Sequence, residues 1–116
     1  MRSIVTGNLE VCCLCGSMDN VELHHCIHGS KEKRSLATQY HLLVGLCSSC
    51  HRGPEGVHSK LGQYKDLQLK SAAQEAWIAR KLKKSDVKTY EHGLKKWMEI
   101  FETDFTAEYN KLEENR

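Results

Sequence analysis

A chain of 116 residues has room for one domain and a modest core, so a bound metal would supply a useful share of its stability. Hydrophobic residues make up 40% of it, ordinary for a soluble globular protein, and no stretch approaches the length of a membrane span, which excludes a membrane-embedded class. The net charge of +2 hides an asymmetry: five Lys/Arg face five Asp/Glu in residues 1–58, ten face four in 59–96, and two face six in 97–116. A basic middle suits a phosphate backbone, although a charge run alone is usually a solvated helix face. The opening MRSIVTGNLEV carries no apolar run, so no signal peptide is expected and the cytoplasm is the expected compartment.

In chain order, residues 1–60 are rich in Cys, His and Gly, and residues 61–116 read as helices packed on them in a single domain. GSMDN is a turn, VELHH alternates like a short strand, and HGSKEKRS is polar enough to read as a loop. The apolar run Tyr40–Leu46 is a second strand or an extended lead into Cys47, and Pro54 in RGPEG marks a turn. Leu61 to Leu82 is helix-forming, with Leu69, Ala73, Ala76, Trp77 and Arg80 at helical spacing. Ser85 or Asp86 is placed to cap a next helix whose stripe runs Tyr90, Leu94, Trp97, Phe101, Phe105. That stripe is a core face or, alternatively, a dimer face, and Gly93 weakens the helix that carries it.

Six cysteines in a chain without an export signal favour metal thiolates over disulfides. Cys12, Cys15, Cys47 and Cys50 form two C-x-x-C pairs, each able to hold two sulfurs about 3.5–4 Å apart, as tetrahedral zinc requires. Four protein ligands make such a Zn2+ structural: it clamps residues 12–15 against 47–50 and does no chemistry. Cys13 and Cys26 are left over and read as small buried hydrophobes.

Seven histidines are many for this length. The pair His24-His25 at a strand end, His51 directly after a cysteine pair, and His58 seven residues later point to a second metal site. His28 reads as incidental.

The order C-x-x-C, ELHH-x-I-x-G, GLCSSCHRG and GVH resembles the HNH endonucleases of the ββα-metal fold, most of all small phage or prophage proteins of that group. The likeness covers about residues 10–60. It implies an α+β fold in which a zinc-stapled HNH core over residues 1–60 is followed by C-terminal helices. It implies hydrolysis of DNA phosphodiesters with one catalytic divalent metal, His24 as metal ligand and His25 as general base. His51 is then a further ligand and His58 completes the set or touches phosphate. The central asparagine usual in the family is missing between Asn20 and Asn110, and His41 is nearest to it by spacing.

Imidazole ligands favour Mn2+, Ni2+ or Zn2+ over Mg2+, though Mg2+ stays among the candidates. Lys31, Lys33, Arg34, Lys60, Lys65 and Lys70 are expected to grip DNA phosphates, and Arg52 to assist at the developing phosphate charge. No base-reading motif is present, so low sequence specificity is expected. The expected setting is recombination, packaging or defence in a phage-carrying bacterial cell, as monomer or homodimer. Two other readings use the same residues: a non-catalytic zinc module that binds nucleic acid or protein, and a second structural zinc held by His24, His51, His58 and Cys26.

Overall fold

The computed structural model describes residues 2–115. Two strands, β1 (Val21–His25) and β2 (Leu43–Cys47), pair antiparallel, with Val21 opposite Cys47 and His25 opposite Leu43. β2 is buried along its whole length, as its unbroken apolar run requires. Its Gly45 has no room for a side chain: a Cβ there would stand 2.6 Å from the Leu9 carbonyl oxygen and 2.8 Å from that of Val11. The N-terminal segment thus lies flat across β2, and the Cys13 N–H donates to the Gly45 carbonyl at 3.0 Å.

Between the strands lies helix α1 (Lys31–Gln39), where the sequence reads as a loop. KEKRS lacks an apolar stripe, but Ser30 caps it by accepting the Lys33 N–H at 3.1 Å, and only Ala37 needs to be buried. The helix ends in a left-handed residue, His41 (φ 59°). The His41 N–H donates to the Thr38 carbonyl at 3.1 Å and the Leu42 N–H to that of Ala37 at 2.8 Å, which closes the last turn and turns the chain into β2. Asparagine is among the few residues that favour this backbone, so His41 holds an asparagine-like position in conformation.

Helix α2 (Ser48–Arg52) begins at the end of β2, capped by the Cys47 sulfur accepting the Cys50 N–H at 3.5 Å. After a 3-10 turn (Lys60–Gly62) come α3 (Gln63–Lys83), α4 (Tyr90–Phe101) and α5 (Phe105–Glu114). The cap of α4 is Thr89, which accepts the His92 N–H at 3.1 Å; Ser85 instead takes a left-handed conformation and Asp86 pairs with Lys81. The stripe from Tyr90 to Phe105 is broken into two helices at Glu102 (φ 65°). Trp97 donates to the Thr103 carbonyl across that corner at 2.9 Å, and Asp104 caps α5. Fully buried Gln74 joins α3 to the same corner, donating to Asp104 at 2.8 Å and accepting the Phe105 N–H at 2.7 Å. Periodicity cannot reveal this break, because Phe105 still packs near Trp97, with ring centroids 6.4 Å apart.

One apolar core runs through both halves, from Cys12, Ile27 and Leu46 to Ala73, Trp77, Trp97 and Phe101. Gly93 is a packing requirement within it: a Cβ there would meet Ile78 Cγ2 at 2.8 Å. Gly93→Ala is therefore expected to lower stability by about 1–2 kcal/mol despite the better helix propensity of alanine, read as a drop in Tm.

Candidate metal centre

The sulfurs of Cys12, Cys15, Cys47 and Cys50 lie within 4.8 Å of one another, close enough to hold a metal ion such as zinc. The Cys15 and Cys47 sulfurs are 3.6 Å apart, near the roughly 3.8 Å edge of a tetrahedron with Zn–S bonds of about 2.3 Å. Cys13 and Cys26 stand outside this group. Burial pushes the Cys13 thiol up to about 11 and raises that of Cys26, so both remain protonated, inert side chains.

A second cluster forms on the hairpin. The two-residue period of β1 puts Glu22 and His24 on one face, and α2 lays His51 over that face. The Glu22 carboxylate accepts from His51 Nδ1 at 2.7 Å and from Arg52 Nη2 at 2.9 Å. The hydrogen bond from His51, with Arg52 beside it, holds the Glu22 carboxyl below its ordinary range. With its Nδ1 proton committed to an ionised carboxylate, neutral His51 has its lone pair on Nε2. The loop after α2 folds back, the Val57 N–H donating to the Cys50 carbonyl at 2.9 Å, and brings His58 Nε2 to 3.0 Å from His51 Nε2. His24 completes the group: donor atoms of His24, His51 and His58 lie within 4.8 Å of one another.

His24 is only 1% exposed, and its Nε2 has no hydrogen-bond partner among the described residues. Burial, then the neighbouring imidazoles of His28, His51 and His58, lower its pKa to about 3. It is a neutral imidazole with an unsatisfied buried ring nitrogen, which otherwise costs about 1–3 kcal/mol. Tetrahedral coordination with bonds of about 2.0–2.1 Å places imidazole nitrogens about 3.3 Å apart, close to the observed 3.0 Å between His51 and His58. This donor set fits a divalent transition ion.

His28, read as incidental in the sequence, belongs to the same cluster. Its Nε2 is 2.8 Å from Asp66 Oδ1 on α3, and Asp66 also pairs with Lys70 at 3.0 Å. Burial resists the Asp66 charge, but the hydrogen bonds from His28 and Lys70 outweigh it and its pKa is lowered. Donor atoms of His24, His28 and Asp66 also lie within 4.8 Å of one another. Asp66 could not be found from the sequence, since no spacing rule links it to the hairpin.

His24 and His25 both line a hollow of about 410 Å³, together with His28, Arg34, His51 and His58. His25 Nε2 is 3.0 Å from Thr38 Oγ1 on α1. The Thr38 hydroxyl spends its only proton on the Arg34 carbonyl at 3.1 Å, so His25 Nε2 must be the donor and Nδ1 keeps the lone pair. Burial, then Arg34 and His28, lower the His25 pKa.

The other candidates are scattered. His41 lines a different cavity, beside Tyr40 and Trp77, and Thr38 rather than His41 contacts the His25 ring. Arg52 does not line the histidine hollow: its contact with Glu22 makes it a brace for His51, and Arg34 is the arginine facing the hollow. Lys31 and Lys33 are exposed on α1 rather than in a loop. Lys60 lies on the 3-10 turn, and Lys65, on α3, donates to the Glu55 carbonyl at 3.3 Å.

The chain is thus a mixed α+β protein whose described residues form a two-stranded antiparallel sheet, five helices and a four-cysteine group able to hold a metal. No helix among the described residues is long and apolar enough to cross a membrane. No protein-family model, curated protein or solved structure matches it.

Proposed function

We propose that this protein is a metal-dependent endonuclease of the HNH type, hydrolysing DNA phosphodiesters with His25 as general base. The observation that carries the reading is the buried, partnerless Nε2 of His24 beside His51 and His58, with His25 lining the same hollow. A divalent ion held by His24, His51 and His58 would neutralise phosphate charge and stabilise the leaving oxygen. Glu22 fixes the His51 ring and Arg52 fixes Glu22, so the ligand geometry is set before substrate arrives. Thr38 holds the His25 tautomer in which Nδ1 takes a proton from water. Arg34 supplies positive charge at the rim.

A four-cysteine zinc would hold the hairpin against α2 and leave the histidine site to the chemistry. The metal of that second site is Mn2+, Ni2+ or Zn2+ before Mg2+, given an imidazole donor set. The test is nicking of supercoiled plasmid by chelated protein reloaded with each ion alone. Cleavage with the transition ions is expected, and cleavage with Mg2+ only would contradict the three-histidine ligand set. His25 titrates below the ordinary histidine value of 6.5, and protonation removes the base. The acid limb of kcat/KM is therefore expected below pH 6.5, with activity retained at neutral pH.

A second reading has an observation of its own. His28, fixed by Asp66, adjoins His24, and a fourth imidazole from it would close the site into a second structural zinc. The protein would then be a non-catalytic zinc module. Metal counting separates the two: one tightly held zinc with one exchangeable ion supports the nuclease, and two chelator-resistant zincs support the module.

A further inference from the structure

We infer that the cavity between the start of the chain, the end of α1 and the C-terminal half of α3 binds a phosphate group. It encloses about 220 Å³ and is lined by Arg2, Tyr40, His41, Trp77, Arg80 and Lys84 among others. At about 30 Å³ per water this is room for roughly seven waters, enough for a tetrahedral phosphate and part of the sugar that carries it.

Two observations converge on an anion. No carboxylate lines the cavity, and Arg2, Arg80 and Lys84 have no acidic partner among the described residues. Lys81, also at the wall, is already engaged by Asp86 at 3.7 Å and lies over the Trp77 ring, so it closes the wall and leaves the other three cations to face the space. The Trp77 ring forms part of the wall and so reports on what fills the space. A phosphate supplies acceptor oxygens to the Arg2 and Arg80 guanidinium donors, and planar guanidinium is the side chain best shaped to offer two donors to them.

The assignment is independent of the nuclease reading, because none of these residues lines the histidine hollow. The ligand is a phosphate ester, carried by a nucleic acid strand or by a free nucleotide.

The two tryptophans make the test internal. In the zinc-loaded full chain, the indole N–H resonances of Trp77 and Trp97 are followed while inorganic phosphate replaces chloride at constant ionic strength. The Trp77 signal is expected to move saturably, and the Trp97 signal, already bonded to the Thr103 carbonyl, to stay. Arg80→Gln combined with Lys84→Gln should weaken binding by about tenfold or more while leaving the Trp97 signal and zinc content unchanged. A short DNA duplex and a mononucleotide, titrated separately, identify the source by which one moves the Trp77 signal at the lower concentration. A Trp77 signal that ignores phosphate, duplex and mononucleotide alike overturns the site. So does unaltered affinity in the double variant.

Discussion

Cys47→Ser is expected to release the metal of the cysteine site and unfold the N-terminal half of the protein. The Cys47 sulfur belongs to the four-thiol group, caps α2 through the Cys50 N–H, and ends the strand whose partner at that register is Val21. Structural zinc contributes on the order of 10–16 kcal/mol in small zinc-dependent modules, as much as the whole stability of a typical domain. Neither strand pair nor five-residue α2 is long enough to persist without that clamp. The measurements are zinc content by mass spectrometry and helicity by far-ultraviolet circular dichroism. Cys13→Ala is the control: its thiol lies outside the group, so it should keep one zinc and lose only about 1 kcal/mol or so from a small core gap. A Cys47→Ser protein that retained zinc and its wild-type Tm would remove the clamp from the picture.

The second large effect concerns chemistry rather than folding. His25→Ala is expected to cut plasmid nicking by about 10²–10⁴-fold, the usual worth of a positioned general base. The ring is half-buried at the rim and ligates neither proposed metal, so zinc content and Tm should hardly change. Thr38→Val, which keeps shape but removes the oxygen facing His25 Nε2, should lower the rate by about tenfold and Thr38→Ser should restore it. Loss of rate on replacing Thr38 without any shift in the acid limb of the pH profile would mean that Thr38 supports α1 and not the imidazole. His25→Ala cutting at the normal rate would leave the hollow without its proposed base.

Much of this architecture lay within reach of local rules. The two C-x-x-C pairs specify a four-sulfur group because each tight turn sets its own sulfur spacing, whatever the rest of the chain does. β1 and α3 follow from period and propensity, and both fall within a few residues of where those rules put them. His24, His51 and His58 converge because the cysteine turns fix the hairpin and α2 that carry them.

What the sequence did not reveal lies mostly in contacts between distant segments, with the local cap of α1 as the exception. α1 has a polar composition without an apolar stripe, and only its cap at Ser30 and the seat for Ala37 decide that it is helical. The break at Glu102 needs buried Gln74, some thirty residues earlier, to receive the Phe105 N–H. Asp66 reaches His28 from a helix that the hairpin's sequence says nothing about. Thr38, rather than His41, meets His25 because the end of α1 aims one turn of helix at the strand and sends the following residue into a left-handed bend.

Sequence alone determined the four sulfurs and singled out His24, His51 and His58 as candidate ligands, since ligand chemistry and short spacings are properties of residues and turns. Tertiary structure decided which imidazoles share a centre, which carboxylate orients each, and where an arginine points. Those are set by how helices pack on the hairpin, and burial energy has no sequence period that reveals it.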